Sequence, residues 1–246
     1  MHSLVLDLGN TAAKYGLFEV GQLLEKGVLA DPAKLSTLLA RRPVAQAIVA
    51  SVTADSAAWL AALRQNRVAE VRVFEPGQTA IPIQNAYATP RTLGADRLAA
   101  AVGAAYLRPQ QNTLIIDAGT ALKCDLVTAD HTFVGGSIGP GLRMRLQALH
   151  TFTGRLPLLA LPAPDEDVQL TGTSTASAML SGVLNGAMLE AQGFLAAYER
   201  RYPGLGVLLT GGDAPYFAAR LQGRIFVVPE LVLLGLYRIL AYHVDQ

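Results

Sequence analysis

Two short stretches of this chain carry the residue types needed to grip a polyphosphate. Asp7-Leu8-Gly9-Asn10-Thr11 closes an apolar run near the N-terminus and is followed by Lys14. A glycine at a strand end lets backbone N–H groups approach phosphate oxygens closely. Asn10 and Thr11 add side-chain donors, and Lys14 is placed to reach the same anion. Asp7 cannot donate to a phosphate, so its carboxylate suits Mg²⁺, directly or through water. Taken alone, the stretch is as well explained by an ordinary β-turn with Asp and Asn as turn formers.

The same grammar returns 110 positions later. Asp117-Ala118-Gly119-Thr120 again closes an apolar run, Leu114 to Ile116, and is followed by Lys123. Each copy then enters a second apolar stretch, Tyr15 to Val20 and Cys124 to Val127. The pattern is that of two hairpins turned at glycine, and its repetition predicts two lobes of similar build. A third glycine turn, Thr210-Gly211-Gly212-Asp213, follows the apolar run Val207 to Leu209. Between the repeats stands Gly94-Ala95-Asp96-Arg97. Taken alone, Asp96 and Arg97 are as well explained by a helix-surface charge pair, although neighbours at i and i+1 on a helix do not face each other.

Other chemistries fit less well. Gly135-Gly136-Ser137-Ile138-Gly139 matches the Gly-x-Ser-x-Gly form of hydrolases, but Pro140-Gly141 follows where a helix must start. No Gly-x4-Gly-Lys-Ser/Thr occurs, which excludes a P-loop. His2, His131, His150 and His243 have no metal-ligand spacing. The single cysteine, Cys124, has no internal disulfide partner.

The elements that must position these residues alternate in period. Lys34 to Leu39 and Ala57 to Leu63 read as helices, and Ala47 to Val52 and Val71 to Phe74 as strands. Thr92 to Leu107 is an Ala-rich helix with its approach, ended by Pro109. Gly135 to Gly141 reads as a Gly/Pro loop, with Leu142, Leu146 and Leu149 on one helical face after it. Thr171 to Tyr198 is a long helical region with a small-residue face at Ala178, Gly182 and Gly186. Strands alternating with helices give an α/β class. The repeat divides the chain into residues 1–110 and 111–246.

Composition narrows the setting. The chain has 246 residues and a formal net charge of +1, so no global field draws it to nucleic acid or to an anionic membrane. The stretch from Ile225 to Tyr242 is broken by Pro229, Glu230 and Arg238, and reads as a buried strand and a core helix rather than a membrane span. Met1 to Leu8 lacks a basic start and is interrupted by Asp7, unlike a signal peptide. With the lone cysteine, these features predict a cytoplasmic protein.

The Asp7, Asp117 and Thr210 turns together resemble the phosphate and adenosine motifs of the actin-like ATPase superfamily, which includes sugar kinases and acetate kinase. The resemblance implies two RNase H-like lobes with ATP in the cleft between them, the nucleoside resting on Gly211 and Gly212. Adding Gly94-x-Asp96-Arg97, the set resembles type III pantothenate kinase from about residue 3 to residue 240. The implied reaction is ATP-dependent phosphorylation of pantothenate to 4′-phosphopantothenate, the first step toward coenzyme A. Asp96 is then the catalytic base, and Arg97 binds the pantothenate carboxylate with its planar fork. Asp7, Leu8, Gly9, Asn10, Thr11, Ala12, Ala13, Lys14 and Thr120 contact ATP. Tyr87, Gly94, Ala95, Asp96, Arg97 and Thr175 contact pantothenate. Asp117 ligates a monovalent cation, K⁺ or NH₄⁺. Lys123 departs from the family pattern by placing a cation where an uncharged residue is more usual, and Ser174 stands where Asn is often found. The resemblance also implies a homodimer. Two further readings share the fold: a sister kinase for another small molecule, and a non-catalytic regulator like the Bvg accessory factors.

Overall fold

The computed structural model describes residues 2–9, 13–51 and 56–244. In chain order its strands and helices begin β1 (His2–Leu8), β2 (Ala13–Glu19), β3 (Gln22–Leu29), α1 (Lys34–Arg41), β4 (Gln46–Ser51), α2 (Ala57–Gln65), β5 (Glu70–Phe74), β6 (Gln84–Asn85) and α3 (Ala95–Leu107). They continue with β7 (Thr113–Ala118), β8 (Ala121–Val127), β9 (Thr132–Pro140), α4 (Leu142–Thr151), α5 (Thr175–Arg201), β10 (Gly206–Thr210), α6 (Ala214–Ala218), β11 (Ile225–Val227) and α7 (Leu231–Val244). The chain forms two compact units. The first holds Met1–Pro109, His131–Phe133 and Glu230–Gln246; the second holds Gln110–Asp130 and Val134–Pro229.

In the first unit the strand order is β3-β2-β1-β4-β5. β1 pairs antiparallel with β2 and parallel with β4, and β4 pairs parallel with β5. Side chains alternate across a strand, so Leu4, Leu6 and Leu8 share one face of β1. They join Leu35, Leu38 and Leu39 of α1 and Trp59 and Leu63 of α2 in one buried cluster. Residues 5 and 7 take the opposite face by the same alternation.

The sequence reading groups residues 230–246 with the second lobe; by packing, α7 belongs to the first unit, against α3, β1, β2 and β4. The reason is close helix–helix approach. A Cβ on Gly103 would lie 2.6 Å from the Leu231 carbonyl, and one on Gly235 would fall on the Ala99 carbonyl. Glycine and the Ala-rich run of α3 let the two backbones meet, which a hydropathy pattern does not reveal. Phe18 of β2 stacks on Tyr237 of α7, centroids 4.4 Å apart.

The second unit repeats the order: β9, β8, β7, β10 and β11. β7 pairs antiparallel with β8 and parallel with β10. The first residues of β9, Thr132 and Phe133, pair with β6 and count with the first unit. Leu114, Ile116 and Ala118 of β7 join Leu142 and Leu146 of α4 and Val183, Leu184 and Ala187 of α5 in the second core. The internal echo thus marks two sheets of the same strand order.

One expectation needs correction. Residues 135–140 are the end of β9 rather than a loop. A Cβ on Gly136 would fall on the Cys124 carbonyl and lie 2.6 Å from Asp125 Oδ1, so this glycine serves a close strand approach. Ser137 therefore sits within a strand and hydrogen-bonds the Cys124 thiol, far from the geometry of a nucleophile elbow.

Candidate active site

In the first unit, Asp7 lies near the end of β1 and is 9% exposed. It stands in register with Lys14 on β2 and Ala50 on β4. Leu8 and Ala13 are buried in the core cluster, Gly9 is half-buried, and Lys14 is exposed. Asn10, Thr11 and Ala12, also expected at the nucleotide, lie outside the described residues.

The head of α3 is built around a glycine. Gly94 is its N-cap, and a Cβ there would sit 2.6 Å from Asp96 Oδ1. Glycine therefore lets the Asp96 carboxylate fold back, where Oδ1 accepts from the Arg97 backbone N–H at 2.9 Å. An acidic side chain in the first turn is also favoured by the helix dipole. Asp96 stays half-buried, whereas Ala95 is 3% exposed and anchors the turn.

Arg97 is 4% exposed. Its guanidinium donates to the Tyr87 hydroxyl at 3.4 Å and lies 5.3 Å from the Tyr87 ring centroid and 5.8 Å from that of Phe133. Asn85 Oδ1 accepts from the Tyr87 backbone N–H at 3.0 Å and sets the loop that presents the ring. The expected substrate residues Tyr87, Gly94, Ala95, Asp96 and Arg97 thus come together, across the ten positions that separate Tyr87 from Arg97. Phe133 completes the aromatic cage; sequence reasoning missed it, because an apolar residue in a strand carries no functional signal. An exposed Arg–Tyr pair contributes little, but a guanidinium held between rings out of water gains from their π faces.

In the second unit, Asp117 stands in register between Lys123 on β8 and Thr210 on β10. Three glycine turns meet around it. A Cβ on Gly211, whose φ is +97°, would fall on the Ala118 carbonyl and lie 2.6 Å from Asp117 Oδ1. A Cβ on Gly141 would lie 2.6 Å from the Thr120 carbonyl, which accepts from the Gly141 N–H at 3.1 Å. Asp213 N–H donates to the Ala118 carbonyl at 2.8 Å. Thr120 is exposed at the tip of the turn. A small pocket beside it is lined by Gly119, Pro140, Gly141, Leu142, Asp213 and Phe217.

Lys123 Nζ lies 2.7 Å from Asp117 Oδ2, with the Lys side chain 12% and the Asp side chain 15% exposed. A free monovalent cation needs oxygen ligands, and this carboxylate oxygen is engaged by an ammonium. At this oxygen the Lys123 ammonium stands where the K⁺ or NH₄⁺ expected at Asp117 would bind. Among the described residues no group of three or more His, Cys, Asp or Glu could hold a metal ion.

Thr175 opens α5 and is exposed. Ser174 caps the helix: its hydroxyl accepts from the Ser177 N–H at 3.1 Å, and Ser177 Oγ accepts from the Ser174 N–H at 2.9 Å. Ser174 thus meets the capping need that Asn also meets. Cys124 is buried, and burial pushes its thiol up to about 12.

Comparison with known proteins gives a consistent picture. The model of the type III pantothenate kinase family matches residues 3–197. A type III pantothenate kinase from Cytophaga hutchinsonii is 42% identical over 243 residues, covering 98% of this chain and 100% of the relative. One from Phocaeicola vulgatus is 39% identical over 243 residues, covering 98% of each. Among solved structures, a protein from Campylobacter jejuni assigned to the Baf family of transcriptional activators superposes with a TM-score of 0.64 at 19% identity, covering 99% of this chain and 100% of its own. The ADPNP-bound activator of 2-hydroxyisocaproyl-CoA dehydratase from Clostridium difficile gives 0.54 at 13% identity, covering 100% and 97%. At these identities the structures establish a shared fold.

Proposed function

The chain belongs to the type III pantothenate kinase family, and we infer from this that it phosphorylates pantothenate with ATP to give 4′-phosphopantothenate and ADP, the first step toward coenzyme A. The observation that carries the reading is kinship at 39% to 42% identity over nearly the full length of both chains.

The proposed roles follow from the chemistry of each group. Phosphoryl transfer needs an aligned alcohol, a group to take its proton and positive charge on the phosphates. Asp96 is assigned as the base that accepts the hydroxyl proton as the pantothenate oxygen attacks the γ-phosphorus; the bond to the β,γ-bridging oxygen breaks and ADP leaves. Arg97, held by Tyr87 and Phe133, is assigned to the pantothenate carboxylate, with Gly94, Ala95 and Thr175 as further contacts. Asp7 to Lys14 and Thr120 are assigned to ATP. Asp7 offers the hard oxygen donor that Mg²⁺ takes, and bound Mg²⁺ would offset charge on the phosphates.

We further propose a homodimer built on α5. Nothing lies within 4 Å of a Cβ added at Gly182 or Gly186, and Leu189, one turn on, is 67% exposed. Thr175 heads the same helix. A cytoplasmic setting completes the proposal. Among the described residues no helix is long and apolar enough to cross a membrane.

The test is an ADP-release assay over a panel of small alcohols with product mass determined. Release with pantothenate and formation of its phosphate ester is the expected result. Release with another alcohol and none with pantothenate would replace this reading with a sister kinase; release with no alcohol at all would favour a regulator.

A further inference from the structure

The Asp117 turn holds an ion pair where a free cation is expected, and the disagreement has a chemical meaning. A carboxylate at the end of β7, next to the turn that carries Thr120, sets a negative charge where a polyphosphate is to be held. Two anions in one place need a cation between them. Lys123 supplies one from within the chain. It stands directly across the hairpin from Asp117, and its ammonium carries the same unit charge as K⁺ and is itself a substituted NH₄⁺. The contact is 2.7 Å, short enough for a charge-assisted hydrogen bond. It is largely withdrawn from water, where screening by salt is weak.

The first hairpin has the same register but a lysine that is more open to water. Asp7 and Lys14 face each other across β1 and β2 in the same way, yet Lys14 is exposed. Lys123 is the more withdrawn of the two lysines, its side chain 12% exposed beside Asp117.

We propose that the Lys123 ammonium is a tethered monovalent cation for the Asp117 turn, so that this kinase works without K⁺ or NH₄⁺. The proposal rests on the kinase reading above. A tethered charge is already in position when the nucleotide arrives, whereas a free ion must be captured from solution.

The test compares wild-type enzyme with Lys123→Met, which keeps much of the side-chain length and removes the charge. Each is assayed with MgATP and pantothenate in choline chloride, then with KCl or NH₄Cl at equal ionic strength. MgATP binding is measured by calorimetry in the same salts. Wild-type turnover and binding are expected to change by less than about twofold on adding K⁺. Lys123→Met is expected to lose about tenfold to a hundredfold in choline, the scale of a lost hydrogen bond to a charged group, and to recover in part with K⁺ or NH₄⁺. A lysine with a purely structural role would show the loss without the recovery. Strong K⁺ stimulation of the wild type overturns the proposal even if the variant does not fold. A folded variant with no gain in K⁺ response in either readout overturns it as well. A wild type inactive on pantothenate in every salt instead removes the kinase reading, while the binding arm still reports on Lys123.

Discussion

The Arg97 guanidinium donates to the Tyr87 hydroxyl at 3.4 Å while 4% of the arginine remains exposed. A charge so withdrawn is costly unless it is partnered. Its aromatic neighbours limit that cost, and a carboxylate ligand would offset it further. Arg97→Lys should therefore raise the KM for pantothenate and lower kcat/KM by about tenfold to a hundredfold, since a lysine cannot reproduce the planar fork. Steady-state kinetics with pantothenate varied at saturating MgATP would check this; an unchanged KM would remove Arg97 from the carboxylate role.

Asp96 folds back over the head of α3 and is placed by Gly94. Asp96→Asn keeps the size and the backbone contact but loses the base. kcat should fall about 10²- to 10⁴-fold, with nucleotide affinity retained. Turnover together with ATP titration separates the two, and near-normal kcat would transfer the role of base elsewhere.

The α3–α7 crossing has no room for a methyl group. Gly235→Ala would place one on the Ala99 carbonyl, and should destabilise the fold by about 1–3 kcal/mol, the usual scale of overpacking. Chemical denaturation should show a lower midpoint. A wild-type midpoint would mean that α7 can shift away from α3.

Open space over Gly182 and Gly186 on α5 predicts self-association. Light scattering behind size exclusion should give twice the 26.0 kDa chain mass. Gly186→Trp should shift the protein toward monomer, because a large ring cannot enter a close helix–helix contact. A wild type that stays monomeric at micromolar concentration would dismiss the dimer.

Burial gives Cys124 a pH signature. Its thiol is raised from 9.0 to about 12 by desolvation first, with Asp125 and Glu190 adding to the rise and Ser137 opposing it. The unfolded chain then loses this proton at lower pH than the folded one. The stabilising contribution is complete below pH 9.0 and is lost as pH rises toward about 12. Wild type should lose stability relative to Cys124→Ala across that window, by up to about 1.4 kcal/mol per pH unit. Parallel pH profiles for the two proteins in denaturant melts would contradict the shift.

Much of the fold was readable because it rests on local rules. The hairpins at Asp7 and Asp117 announced themselves through apolar strands ended by Asp and Gly. Pro109 ended α3 at Leu107 as read, and the stretch after Ile225 resolved into β11 and α7, although β11 is a sheet-edge strand with Phe226 and Val227 exposed rather than the buried strand expected. The misreading at 135–140 has a clear source. Glycines usually punctuate chains, but Gly136 is there because another strand passes too close for a side chain. That constraint comes from a neighbour remote in sequence.

Residue types and their spacing by themselves determined the α/β class, the repeated glycine-bent strand ends, the candidate acid and arginine on α3, and the family. Tertiary structure decided three things. It set α7 against α3, brought Phe133 over Arg97, and turned Lys123 onto Asp117. The first set follows from periodicity and turn chemistry, which act between near neighbours. The second depends on which backbones can approach and which charges lose their water, and those are fixed only when distant parts of the chain pack together.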